Sequence, residues 1–179
     1  MTKKSGKIFL IGYRATGKTS VGRELARMLG RAFVDLDDKI ENAAGATIAD
    51  IVMAKGWDEF RRMEREALAD IASNSKKTVV ACGGGVVLHE DLMEQIMNSA
   101  IVIWLTAPVE IMHKRISSDS KSATRRPALS GQDTEREIIE IYEQRKPLYE
   151  RFSHFEIDTF EKGPFQLAQE ISEAIRYAR

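Results

Sequence analysis

The sequence predicts an α/β fold on a mainly parallel sheet. Short apolar runs recur at 8–11, 32–36, 78–82, 100–105 and 155–157, and longer stretches with helical periodicity separate them. A glycine-bearing loop at 12–19 joins the first run to the first helical stretch. Five runs in this alternation predict a five-stranded sheet covered by helices on both faces, a three-layer sandwich.

The elements follow in order. After the loop, Val21, Leu25, Met28 and Leu29 share one helical face and Gly30 stands at a C-cap position, which predicts a helix from Gly17 to about Leu29. Between the second and third strands, 47–72 reads as two helices broken at Lys55-Gly56. Ile48, Ile51 and Val52 face inward in one, and Phe60, Met63, Ala67, Leu68 and Ile71 in the other. This helical insertion, about 38–74, suits a substrate. Further on, Ser117-Ser118-Asp119-Ser120-Lys121-Ser122-Ala123-Thr124-Arg125-Arg126-Pro127 is polar and aperiodic between two helices, and reads as a lid over about 117–134.

Bulk properties narrow the class. At 179 residues, without internal repeats or low-complexity tracts, the chain reads as one domain spanning 1–179. Hydrophobic residues at 43% and charged residues at 30% are ordinary for a folded globular protein. Lys plus Arg balance Asp plus Glu at 27 each, so no global field draws the chain to nucleic acid or an anionic membrane, and any anion site must be local. The lone Cys82 excludes an intramolecular disulfide and a multi-cysteine zinc cluster, and fits a reducing cytoplasm. The N-terminal apolar run is too short for an export signal, and the run at 100–105 falls far below the ~20 residues of a membrane span. A monomer is the default expectation.

Gly12-Tyr13-Arg14-Ala15-Thr16-Gly17-Lys18-Thr19 fills every fixed position of the Walker A pattern between a strand and a helix. Its glycines let backbone N–H groups close on phosphate oxygens, and the following helix aims its positive end at the same anion. Lys18 would reach the β- and γ-phosphates of ATP, and the Thr19 hydroxyl suits Mg²⁺. This loop alone predicts phosphoryl transfer.

Other motifs bear on the acceptor. Asp35-Leu36-Asp37 ends the second strand, and period-2 alternation would send both carboxylates to one face at the strand end, one for Mg²⁺ and one to orient or deprotonate a hydroxyl. The competing role is capping of a helix beginning near Asp38. Gly83-Gly84-Gly85 reads equally as close ligand approach to bare backbone or as a tight turn. Arg61 and Glu64 share a helix face, where the carboxylate would hold a guanidinium ready for an acidic substrate; a plain solvated pair is the alternative. Arg125-Arg126-Pro127 and Gln144-Arg145-Lys146-Pro147-Leu148-Tyr149 complete the arginines, and a lid arginine can close over a triphosphate. His89, His113 and His154 lack partners at metal-ligand spacing, and the tryptophans and methionines read as packing.

Taken in order along nearly the whole chain, the loop, Asp35-Leu36-Asp37, Glu59-Phe60-Arg61-Arg62-Met63-Glu64, the three glycines, Arg126-Pro127 and Arg145-Lys146-Pro147-Leu148-Tyr149 resemble the shikimate kinase family. The resemblance implies a P-loop NTPase fold of the nucleoside-monophosphate-kinase-like type. It implies ATP-dependent phosphorylation of the shikimate 3-hydroxyl, in aromatic amino-acid biosynthesis. By position it implies that Asp37, Arg61, Gly83 or Gly84, and Arg145 bind shikimate, with both arginines on its carboxylate and Asp37 as base. Arg14, Ala15, Thr16, Gly17, Lys18, Thr19 and Ser20 would contact ATP, Arg126 the phosphates and reacting centre, and Lys162 the adenine side. Thr19 and Asp35 would hold Mg²⁺.

Three positions depart from the family pattern. Cys82 stands where the family usually has a hydroxyl residue, the lid is longer than a minimal one and shifts the alignment of Arg115, and Val52 replaces an aromatic, leaving Phe60 as the apolar wall. A gluconate-type sugar-acid kinase shares the phosphate loop but is not expected to carry the full set. A nucleoside-monophosphate kinase would need a base-stacking pocket in the insertion. An inactive scaffold would be expected to lack Lys18, Asp37 or the lid arginine, and all are present.

Overall fold

Strand β1, Ile8–Ile11, is apolar at every position because both of its faces are covered. Phe9 and Ile11 point into one hydrophobic cluster and Ile8 and Leu10 into the other, the period-2 alternation of a strand between two cores. The computed structural model describes residues 6–74, 76–118 and 135–177. Around β1 the chain adds β2 (Ala32–Asp35), β3 (Thr78–Ala81), β4 (Ile101–Thr106) and β5 (Phe155–Asp158), in the spatial order β2-β3-β1-β4-β5. Every pairing is parallel, with Ile8 beside Val79 on one side and Ile101 on the other. The inner strands are buried throughout, whereas β2 and β5 show exposed positions, as edges do.

Helices α1 (Lys18–Leu29) and α7 (Pro164–Tyr177) cover one face, through Val21, Leu25, Leu167 and Ile171. The other face carries α2 (Leu36–Ala44), α3 (Ile48–Ser73), α4 (Glu90–Ser99), α5 (Val109–Ser118) and α6 (Glu135–Arg151). Three layers result, with an all-parallel rather than mixed sheet. The predicted break in the insertion lies at Gly56, whose φ of 82° and ψ of 171° interrupt α3. Thr47 and Asp50 form a reciprocal capping box at its start. At its other end the buried Lys7 ammonium donates to the carbonyls of Ala72 and Asn74, tying α3 to the root of β1. Among the described residues no helix is long and apolar enough to cross a membrane.

One local expectation is corrected. The Asp35-Leu36-Asp37 run does not continue as a strand: β2 ends at Asp35, which becomes the N-cap of a helix starting at Leu36. Leu36 is fully buried and nucleates the helix's apolar face, so a capped turn rather than a pleat sets the directions of the two carboxylates.

The division into core and surface predicts how substitutions will act. Leu25→Ala, at a fully buried position, should lower unfolding stability by about 2–5 kcal/mol in urea titration. Met53→Ala, at a side chain 84% exposed, should stay within about 0.5 kcal/mol of the parent.

Candidate active site

The chain leaves β1 toward α1 on one face of the sheet and leaves β3 toward α4 on the other. Neighbouring parallel strands that diverge in this way open a crevice at their C-terminal ends. Both glycine-rich loops line it. Gly12 must be glycine, since its φ is 135° and a Cβ there would lie 2.3 Å from the Leu105 carbonyl oxygen. Within the loop the Thr16 hydroxyl donates to the Tyr13 carbonyl at 2.8 Å, and Lys18 Nζ donates to the carbonyls of Gly12 and Tyr13 at 2.9 and 2.6 Å. Gly17, left-handed at φ 87°, starts α1 without a side-chain cap. The helix's first N–H groups therefore face the cleft, the usual setting for a phosphate. Ala15 is also left-handed, at φ 63°, and its carbonyl accepts from Arg115 of α5 at 3.1 Å. Arg115 also donates to Thr159 after β5, so it joins the loop to the far edge of the sheet.

The cleft has a volume of about 640 Å³. Arg14, Ala15, Gly17, Lys18, Thr19, Ser20, Asp35, Asp37, Gly83 and Gly84 line it, so most of the predicted site residues share one space. Thr16 is buried within the loop and does not line the cleft. Asp35 accepts from the Thr19 hydroxyl at 2.7 Å with one oxygen and from the Asp37 N–H at 3.1 Å with the other. Two hard oxygen donors side by side at the mouth of a phosphate loop match the ligand preference of Mg²⁺, which keeps much of its water shell and takes few protein ligands.

Behind Gly83 and Gly84 lies a second cluster, on α3 and α6. Arg145 Nη1 and the Tyr149 hydroxyl both donate to the Gly84 carbonyl, at 3.3 and 2.5 Å. The Arg61 guanidinium lies against Gly85, where a Cβ would sit 2.2 Å from its Nη1. Its Nη1 donates to Glu64 Oε2 at 2.5 Å, and its plane lies 5.2 Å from the Phe60 ring centroid and 5.7 Å from that of Trp57. Burial lowers the Arg145 guanidinium from its ordinary value, and the positive charge of Arg61 adds to the effect. Neither arginine lines the cleft itself; the two cations stand behind its glycines, near enough for Arg61 to act on Arg145, an arrangement suited to an anion.

Several placements differ from the sequence reading. Phe60 is fully buried and belongs to the core, with Trp57 packed edge-on against it. Lys162 pairs with Glu170 at 2.7 Å on the surface and does not line the cleft. Arg126 and positions 119–134 of the lid lie outside the described residues. His89 does have a carboxylate partner, Glu64, whose Oε2 lies 3.2 Å from its Nε2. Arg23, Glu41 and Arg115 also line the cleft, and no short motif marks them. Gly85 makes room for Arg61 and also opens the 3₁₀ turn at Val86–Leu88, so the third glycine serves an arginine as well as a turn.

A family model described as shikimate kinase matches residues 14–176. Shikimate kinase 2 of Dickeya chrysanthemi is 39% identical over 169 residues, covering 94% of this chain and 95% of its own. The solved structure of shikimate kinase from Acinetobacter baumannii in complex with shikimate superimposes with a TM-score of 0.89 at 35% identity, covering 97% of this chain and 94% of that one. Shikimate kinase from Aquifex aeolicus gives 0.80 at 29% identity, with 95% and 96% covered.

The buried thiol generates a pH prediction. Cys82 lines the cleft yet is only 4% exposed, and burial pushes its thiol well above the ordinary 9.0, against the opposing charge of Lys18. Burial likewise pushes the Tyr142 phenol up to about 12. Both groups keep their protons in the folded state to a higher pH than in the unfolded chain. Their contribution is therefore whole below the unfolded values and is lost as pH rises through the folded ones. The urea midpoint should fall above about pH 9, and iodoacetamide at about pH 8 should label Cys82 only after denaturant is added.

Proposed function

The chain belongs to the shikimate kinase family, and we propose that it transfers the γ-phosphoryl group of ATP to the 3-hydroxyl of shikimate, in aromatic amino-acid biosynthesis. The observation that carries this reading is a cleft lined by a phosphate loop and a carboxylate pair, with a cation pair against the glycines behind it. The loop from Gly12 to Thr19 takes the triphosphate, with Lys18 leaving its carbonyl partners for the β- and γ-phosphates. Arg61 and Arg145 take the acceptor's carboxylate, and Gly83 and Gly84 let the ring approach bare backbone. That hold brings the acceptor hydroxyl to Asp37, which lines the cleft between the two ends and accepts the hydroxyl proton as attack proceeds.

Thr19 and Asp35 would hold Mg²⁺, which when bound spreads the negative charge of the phosphates. Cys82 lies buried in the floor as a neutral thiol, so it adds no charged ligand there. Arg126 would close over the phosphates with the lid, and Lys162, paired on the surface, would reach the nucleotide only by leaving Glu170. Most of the rate comes from positioning in a site from which closure excludes water. The single sheet with its two covering layers supports one kinase domain, with helices of about 38–74 as its acceptor arm. The lone cysteine supports a reducing cytoplasm, the even charge balance supports binding to neither nucleic acid nor membrane, and a monomer is the default reading.

Coupled measurement of ADP release should show turnover with shikimate and ATP, and only the ATP background with gluconate. Equal rates with both acceptors, or no rise with either, would overturn the assignment. Asp37→Asn should lower kcat by about 10²–10⁴-fold while leaving nucleotide affinity near the parent's. A matching loss of ATP affinity would remove Asp37 from the role of base.

A further inference from the structure

Glu64 is a fully buried carboxylate on α3 that does not line the cleft, yet two donors from other side chains approach it. Its Oε2 lies 2.5 Å from Arg61 Nη1 and 3.2 Å from His89 Nε2. His89 stands at the N-cap of α4, where a short polar side chain normally bonds the first turn. Its ring makes no such bond, and instead reaches across to α3 with a side chain only 10% exposed.

The backbone explains how it gets there. Gly85 opens a 3₁₀ turn, Val86–Leu88, and the His89 N–H closes it on the Val86 carbonyl at 3.1 Å. One short turn thus presents two features to α3: a bare Cα at Gly85 against the Arg61 guanidinium, and an imidazole at His89 against the carboxylate that holds that guanidinium. A glutamate side chain has several rotamers, and a buried carboxylate needs strong donors to stay charged. A second donor on the oxygen that Arg61 uses fixes the carboxylate, and with it the plane of the guanidinium.

We infer that His89 is a positioning residue for the acceptor, setting affinity for the acceptor's carboxylate through Glu64 and Arg61 without touching it. The inference rests on the reading of Arg61 as a carboxylate anchor, and its test separates the two. Glutamine places its amide nitrogen near the position of Nε2, whereas asparagine is too short to reach Glu64 but is a favoured N-cap, so α4 still begins normally. Steady-state kinetics with shikimate and ATP varied separately would be measured for His89→Asn, His89→Gln, Arg61→Ala and the Arg61→Ala/His89→Asn double variant.

His89→Asn should raise the KM for shikimate about tenfold and leave the KM for ATP within about twofold, and His89→Gln should stay within about threefold of the parent. On the Arg61→Ala background, His89→Asn should add nothing, because the two act on one interaction. An unchanged shikimate KM in His89→Asn beside a raised one in Arg61→Ala overturns the inference and leaves the anchor standing. So does an equal rise in both KM values, or a full His89→Asn effect on the Arg61→Ala background. An unchanged shikimate KM in Arg61→Ala overturns the anchor itself, and the inference with it.

Discussion

The parallel pairing of β1 with β3, followed by departure of the chain to opposite faces, is the constraint on which the site depends. It places the loop after Ile11 beside the loop after Ala81, close enough that a Cβ on Gly84 would lie 3.4 Å from the Arg14 nitrogen. A Cβ there would already touch the neighbouring loop, so a larger side chain has little room at this junction. In the proposed reading the phosphate end of the site comes from one face's helix and the acceptor end from the other's.

Charge is arranged around that junction with little waste. The proposed acceptor end concentrates the guanidinium groups of Arg61 and Arg145, and burial already weighs against the charge on Arg145. Such a pair is unfavourable without a counter-ion, which in the proposed reading the acceptor's carboxylate supplies. Buried Glu64 offsets part of the cost from behind, and the aromatic faces of Phe60 and Trp57 hold the Arg61 guanidinium. At the other end Asp35 serves the fold and, in the proposed reading, the metal as well. The same carboxylate caps α2 and fixes the Thr19 hydroxyl.

The strands, the phosphate loop and the break at Gly56 were legible because each rests on local pattern: apolar runs, fixed glycines and a helix breaker inside a periodic stretch. Asp35-Leu36-Asp37 was not, because acidic residues flanking a leucine suit a strand end and an N-cap equally well, and only the burial of Leu36 decides between them. The contact of His89 with Glu64 spans 25 positions and leaves no periodic trace. The service of Gly85 to Arg61 is invisible for a related reason: a glycine's missing Cβ has meaning only once the neighbour that fills the space is known. Lys162 was expected on the adenine side, but Glu170 on α7 holds it on the surface.

The strand order also bears on how the protein is made. β1 leaves the ribosome first, yet its partners are Val79 to Ala81 on one side and Ile101 to Trp104 on the other. At ordinary rates of synthesis, Ile8-Phe9-Leu10-Ile11 waits for roughly 5–20 s before both edges can be paired. For that interval the most apolar strand of the chain is the part most open to wrong partners, including its copy on a neighbouring nascent chain. An arrangement that serves catalysis well in the finished molecule thus makes the newborn chain dependent on rapid shelter of its first strand.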